Sequence, residues 1–383
     1  MPNCDIIARN TAVDTVSRAV QTISSSCPIS MTSLHPSDTI NVRDDERFDE
    51  QAVEAFLRGK LPGTDNPLTV RQFGGGAANL TYLLDYGSHE YVLRRPPLGP
   101  VAPSAHDMAR ESKVLLRLWN AYPLAPRAFL FSDDESIVGA PFFVMERRHG
   151  IVVRDSIPAV YDTWTDAPAR MSFALVEALS DLHAVDYEAI GLGDLGRPAG
   201  FIRRQIEGWW RRWQAARLEE LPEMDAVYNW LRENEPPESS PSLVHNDYKL
   251  DNVMLDPNDP GRIVAVFDWD MCTLGDPLSD VGALLAWWCL PDDPPHFRTM
   301  AMMPLDDRFL RRQQLIDHYA QHSGRDLSQI HFYHALSLFR VTVIIAQIYV
   351  RYVRGQTQDK RFAAFGPRIP AAAQAALEVA KGR

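Results

Sequence analysis

The 383-residue sequence has only four cysteines, Cys4, Cys27, Cys272 and Cys289, and no two of them stand as C-x-x-C. That spacing excludes the usual structural zinc motif and a dense disulfide framework, and it suits free thiols in a reducing cytoplasm. Positive charge is also short: 39 Lys and Arg against 50 Asp and Glu leave a formal net charge of -11. A nucleic-acid reader needs a basic face to meet phosphates, so no nucleic-acid partner is expected. Long hydrophobic runs are missing as well. The first residues have neither a basic n-region nor a continuous apolar core, so neither a signal peptide nor an anchor is evident. The longest late run, Val341 to Val350, is broken by Thr342 and Gln347 and flanked by Arg340 and Arg351. It falls far short of the ~20 residues a membrane helix needs and reads as a buried helix, with no membrane partner expected. There is no internal repeat on which to build a solenoid. With 45% hydrophobic residues, the chain can still bury one large core or two moderate ones, which excludes disorder throughout. Nothing in the sequence speaks to oligomeric state.

What is present is concentrated between Leu243 and Asp280, LVHNDYKLDNVMLDPNDPGRIVAVFDWDMCTLGDPLSD. His245, Asp247 and Asn252 stand as H-x-D-x-x-x-x-N, and the apolar run Ile263 to Phe267 ends on Asp268. Moving a terminal phosphoryl group requires a carboxylate to orient the acceptor hydroxyl and oxygen ligands for the magnesium that bridges the phosphates. Asp247 suits the first role; Asn252 and Asp268 suit the second. One short loop can place Asp247 and Asn252 around the same phosphate, and Asp268 emerges where a buried β-branched strand, Arg262 to Phe267, comes to its end. Asp270 can reach the same region or accept backbone hydrogen bonds. Asp276-Pro277 reads as an N-cap with proline in the first helical position, followed by a helix that buries Leu278, Val281, Leu284, Leu285 and Trp288.

These residues resemble the catalytic and metal-binding loops of the aminoglycoside phosphotransferase and choline kinase superfamily, relatives of protein kinases. The wording Leu-Val-His-Asn-Asp-Tyr-Lys-Leu-Asp-Asn and Phe-Asp-Trp-Asp with Leu-Gly-Asp-Pro most resembles the kinase-like domain fused to some acyl-CoA dehydrogenases. The resemblance covers about residues 45 to 360. It implies a bilobal, protein-kinase-like α+β fold: a small antiparallel-sheet N-lobe over 41–145, a hinge at 146–150 and a larger, mostly helical C-lobe over 151–383. Residues 1–40, polar and rich in Ser and Thr, read as a loosely attached arm in which Met31 is a second possible start. The resemblance further implies ATP and Mg2+ as cofactors, a small-molecule acceptor, and a bracing role for Asp280 at the backbone of His245 and Asp247.

Upstream, a short amphipathic helix is expected from Phe48 to Leu61, with Val53, Phe56 and Leu57 at helical spacing. The stretch RQFGGGAANLTYLL then places Gly74, Gly75, Gly76 and Asn79 where a glycine loop would cover nucleotide phosphates, with asparagine in place of the third glycine. Two strands flank a turn at Gly87-Ser88, and on the second, alternation puts Val92 and Arg94 on one face and Arg95 on the other. Arg94 stands where protein kinases use lysine. A helix is expected from near Ser104, its apolar stripe formed by Met108, Leu115 and Leu118, with Glu111 inside that stripe. A glutamate there is costly unless it meets a cation, and Arg94 is the natural partner. In PFFVMERRHG, Met145 falls beside the nucleotide base by resemblance, with the backbone of Glu146 and Arg148 bonding its edge.

Beyond the hinge, Phe173, Val176, Leu179 and Leu182 repeat at helical spacing, and His183 reads as a hydrogen-bonded core histidine. The stretch FIRRQIEGWWRRWQAAR carries Arg203, Arg204, Arg211, Arg212 and Arg217 where such kinases build an acceptor-side wall. Those cations favour an anionic acceptor, a hydroxyacyl compound or its CoA ester, over a polycationic aminoglycoside. Two rivals stay open: an aminoglycoside or other antibiotic kinase, and a catalytically silent nucleotide-binding module.

Overall fold

The computed structural model describes residues 38–74, 79–97, 107–357 and 359–382. Thr39–Arg383 forms one compact unit, and the expected arm lies outside the described residues except for its last positions. Those last positions belong to the sheet. The N-terminal part runs β1 (Thr39–Ile40), α1 (Glu50–Leu57), β2 (Thr69–Phe73), β3 (Leu80–Asp85), β4 (Glu90–Arg95), α2 (Met108–Leu118), β5 (Ala128–Ser132), α3 (Glu135–Val138) and β6 (Phe142–Glu146). Its strands form one antiparallel sheet in the order β1-β2-β3-β4-β6-β5.

Period-two alternation gives this sheet two different faces. Tyr82, Leu84, Leu93, Phe142 and Val144 pack with Val53 and Leu57 of α1 in an outer core, whereas Val92, Phe143 and Met145 join the larger core on the other side. Helix α1 is shorter than its sequence pattern predicts. It starts where the Asp49 carboxylate accepts the N–H groups of Gln51 and Ala52, and it cannot run on to Leu61 because Gly59 turns left-handed at φ 69°. Helix α2 is capped by Asp107, which accepts from Arg110 N–H at 2.9 Å; the expected cap Ser104 lies outside the described residues.

The C-terminal part comprises α4 (Ala167–His183), α5 (Phe201–Ala216), α6 (Pro222–Glu233), β7 (Ser242–Val244), β8 (Val253–Asp256), β9 (Asp259–Val266), β10 (Thr273–Gly275), α7 (Leu278–Trp287), α8 (Pro295–Arg298), α9 (Arg312–Ser323), α10 (Ile330–Val353) and α11 (Arg368–Ala380). Together the two parts make the bilobal α+β kinase-like architecture. Within α4, Val176, Leu179 and Leu182 are buried, but Phe173 is not: it is 40% exposed and meets His318 of α9 edge-on. Its helical spacing is right, but the neighbouring helix passes beside it without covering it.

By length and composition, α10 is apolar enough to cross a membrane; here 56% of that stretch is buried, packed by α5, α7 and α11. Its approach to α7 is close. A Cβ on Gly282 would lie 2.4 Å from the carbonyl oxygen of Tyr333, and the Tyr333 hydroxyl donates to Asp276 Oδ2 at 2.7 Å. Helix α7 begins at Leu278, one residue later than the sequence suggests, yet Asp276 still caps it by accepting Leu278 N–H at 3.0 Å.

Candidate active site

Two small antiparallel pairs position the catalytic segment. Pairing of β7 with β10 (Leu243 opposite Leu274) and of β8 with β9 (Val253 opposite Val266) sets the loop 245–252 against the loop 267–272. Phe267 N–H donates to Asn252 O at 2.8 Å, and His245 Nε2 lies 2.8 Å from Phe267 O. Asp247 N–H reaches His245 Nδ1 at 3.3 Å, so Nε2 is the donor of this ring and Nδ1 the acceptor. Asp280, fully buried, fixes the loop from below: Oδ2 accepts His245 N–H at 2.6 Å and Oδ1 accepts Asn246 N–H at 2.7 Å. The brace expected at His245 and Asp247 therefore falls on His245 and Asn246. His183 is the core histidine its position suggests, buried between Tyr319 Oη at 2.7 Å and Asp280 Oδ2 at 3.3 Å.

Asn246 and Asp268 have φ of 65° and 70°, the left-handed non-glycine residues among those described. Asn and Asp tolerate that region better than other non-glycine side chains. The amide nitrogen of Asn252 donates to Asp247 O at 2.8 Å and to Asp247 Oδ2 at 3.0 Å, so its side-chain oxygen is the atom able to ligate a cation.

Across the cleft, Arg94 bridges two carboxylates, with Nε 3.3 Å from Glu111 Oε2 and Nη2 2.6 Å from Asp268 Oδ1. The pairing with Glu111 is the one its place in the α2 stripe requires; the reach to Asp268, 174 residues on, is not legible in the sequence. Burial pushes Glu111 up to about 7 even though Arg94 pulls it down. Burial works the same way on Asp268, but there Arg94, His245 and Lys249 outweigh it and hold the carboxyl below its ordinary value. Asp270 is pushed up to about 6 by burial and then by Asp268, with Asp247 adding to the effect. Arg95, on the opposite face as alternation predicts, is buried in the outer core and held by Tyr82 Oη, Glu46 O and Val138 O.

Among the described residues no three His, Cys, Asp or Glu side chains converge to hold a metal by themselves. Magnesium does not require such a cage, since one or two carboxylates together with water and phosphate oxygens complete its shell. The donors here fit it: hard oxygens from Asp268 and Asn252, with Asp268 and Asp247 close enough to Asp270 to raise its carboxyl, an excess of negative charge that a cation would relieve.

At the nucleotide end, Gly74 and Asn79 are described and Gly75 and Gly76 lie outside the described residues. A Cβ on Gly74 would meet only ordinary contacts, 3.5 Å to Ile40, so space alone does not demand glycine there. Met145 is buried at the end of β6. The N–H of Glu146 is taken by Arg127 O at 2.9 Å, so within the expected base contact only its carbonyl can serve. The Arg148 side chain turns away to Pro123 O at 2.9 Å and Val264 O at 3.3 Å, while Arg147 stacks 4.8 Å over the Phe73 ring.

Two cations near Asp247 escaped the sequence reading. Lys249 pairs with Asp247 Oδ2; the signal is its offset of two residues around Tyr248, whose full burial turns Asp247 and Lys249 to the same side. Arg340 interrupts the apolar stripe of α10 and donates to the carbonyl of Asn246. The arginines of α5 are mostly occupied or exposed. Arg203 pairs with Glu235, Arg204 folds back on the carbonyls of Arg197 and Ala199, and Arg211 and Arg212 are exposed. An acceptor wall made of all five is therefore not what α5 presents.

The family model described as phosphotransferase enzyme family matches residues 69–325. The chain belongs to that family. Acyl-CoA dehydrogenase family member 11 of Rattus norvegicus is 34% identical over 331 residues, covering 84% of this chain and 42% of the relative. A probable acyl-CoA dehydrogenase of Arabidopsis thaliana, IBR3, is 32% identical, covering 81% of this chain and 40% of that one. The chain thus spans less than half the length of these curated relatives. Among solved structures, a Ralstonia eutropha protein named as a candidate aminoglycoside phosphotransferase superposes with a TM-score of 0.75 at 32% identity, over 88% of this chain and 99% of its own. The aminoglycoside phosphotransferase APH(4)-Ia, in a ternary complex with AMP-PNP and hygromycin B, shares the fold at 18% identity and a TM-score of 0.56, over 87% and 100% of the two chains.

Proposed function

We propose that this chain transfers the terminal phosphoryl group of ATP to a hydroxyl of a small molecule. The observation that carries the reading is the convergence of Asp247, Asn252 and Asp268 on one cleft, faced by the Arg94–Glu111 pair. Asp247 orients the acceptor hydroxyl and takes its proton as the new O–P bond forms and the bond to the departing ADP breaks. Asn252 and Asp268 would hold Mg2+, which would neutralise charge on the phosphates. Arg94, kept in place by Glu111, gives up its contact with Asp268 to the phosphates. Lys249, beside Asp247, adds positive charge where the transferred group passes.

The acceptor we favour is a hydroxyacyl compound or its CoA ester. Relatives named for acyl-CoA dehydrogenases support it, and so does the lack of a carboxylate-lined face on α5 that a polycation would need. The antibiotic-kinase reading rests on the name of the Ralstonia eutropha protein, and a phosphotransfer screen of aminoglycosides beside hydroxyacyl-CoA esters separates the two. Asp247→Asn tests the chemistry itself. Turnover should fall at least ~100-fold, the scale of a lost general base, while calorimetric ATP binding stays close to the parent. Turnover near the parent rate sinks the assignment, and ATP binding without a product from any acceptor favours a silent module.

A further inference from the structure

Arg340 breaks the apolar face of α10 where that helix passes the catalytic loop. Its guanidinium donates to the carbonyl of Asn246, next to Asp247, lies 3.8 Å from Met271 Sδ, and sits 5.3 Å from the centroid of the Trp209 ring. Arg212, less than one turn along α5 from Trp209, lies 4.4 Å over the same indole. Two guanidiniums therefore share one aromatic side chain, which can attract both but cannot neutralise either. Among the described residues neither forms an ion pair. The carboxylates nearest Arg340 are committed elsewhere: Asp247 to Lys249 and Asn252, and Asp280 to the backbone of His245 and Asn246. Burial lowers the pKa of Arg340, the charges of Asp247 and Asp280 oppose it without outweighing it, and Arg212 pushes the same way as burial. Two guanidiniums on one indole, one of them beside the loop that carries Asp247 and neither in an ion pair among the described residues, make a site that an oxyanion completes. A guanidinium fork suits the two oxygens of a carboxylate or phosphate.

We propose that Arg212 and Arg340, stacked on Trp209, bind an oxyanion on the acceptor molecule, so that the preferred substrate is a small hydroxylated anion held by its charged group while Asp247 addresses its hydroxyl. This rests on the phosphotransfer reading for the hydroxyl but not for the anion. It also moves the recognition element away from the α5 arginines as a group, to one of them and to a residue of α10.

The test pairs each ω-hydroxy acid from hydroxyacetate to 6-hydroxyhexanoate with its primary amide, and glycerol phosphate with glycerol. Binding is measured by calorimetry in the presence of magnesium and a non-hydrolysable ATP analogue, and turnover is measured with ATP. The parent should bind at least one anion about tenfold or more tightly than its neutral partner, the scale of a charge-assisted hydrogen-bond pair. Arg212→Glu should erase that preference and Arg212→Gln should reduce it. Because Arg340 also supports the loop, Arg340→Lys is read only through the anion-to-neutral ratio, which should fall since ammonium lacks the fork. The acid series and the phosphate pair distinguish which oxyanion is meant. Equal binding of every anion and its neutral partner, or an undiminished preference in Arg212→Glu, overturns the proposal. A charge preference that persists in the parent and vanishes in Arg212→Glu, without phosphoryl transfer to any compound, leaves the anion site standing and shows that the reaction is the part that fails.

Discussion

Replacing Asp280 with Asn changes one atom in a site with no room to adapt. Each carboxylate oxygen of Asp280 accepts a backbone N–H, from His245 at 2.6 Å and Asn246 at 2.7 Å, and the side chain is 0% exposed. In the amide, whichever way it is flipped, one of those N–H groups faces another donor. A hydrogen bond to a charged group contributes about 1.5–3 kcal/mol, and a buried donor left unmatched costs about 1–3 kcal/mol more. The expected loss is therefore roughly 3–5 kcal/mol, which for a unit of this size lowers Tm by about 4–7 °C. The catalytic loop should suffer alongside, because His245 and Asn246 lead directly into Asp247, and turnover should fall even at temperatures where the variant is folded. Urea unfolding followed by tryptophan fluorescence gives the first quantity and phosphotransfer the second. Burial would raise the Asp280 carboxyl, but the hydrogen bond and charge of His183, with the backbone hydrogen bond from His245, overcome it and hold the group below its ordinary value. Its contribution is thus fully present above the unfolded-state value near ~4 and is lost as pH falls from there toward the folded value, so the gap between parent and variant should narrow in acid. A variant within about 1 kcal/mol of the parent at neutral pH would show that the loop does not hang on this carboxylate.

Asp268→Ala removes the proposed metal oxygen and the partner of Arg94 together, so magnesium-dependent ATP binding should disappear. Calorimetry with and without magnesium checks it, and unchanged affinity refutes the assignment. Gly282→Ala should destabilise by about 1–3 kcal/mol through overpacking, since the new methyl would press on the backbone of Tyr333 and push α7 from α10. A thermal midpoint equal to the parent's would mean that the helices can part there at no cost.

Much of the site is local and therefore legible in one dimension. The spacing of His245, Asp247 and Asn252, the end of β9 just before Asp268 and the alternation that separates Arg94 from Arg95 follow from strand and loop geometry over a few residues. The pairing of Arg94 with Glu111 could also be read, because a charge inside an apolar helical stripe has to find its opposite. Sequence could not decide contacts between elements far apart in the chain. Arg203 is lost to Glu235 and Arg204 to its own loop, Phe173 stays half exposed because α9 runs beside it, and Arg340 reaches the catalytic loop from a helix that begins after the rest of the site is complete. Periodicity states which face of a helix is apolar; only packing states what that face meets. The charge pattern of the cleft is therefore a property of the tertiary structure, whereas the spacing from which we propose Asp247 as the catalytic group and Asn252 and Asp268 as metal ligands is already written in the chain.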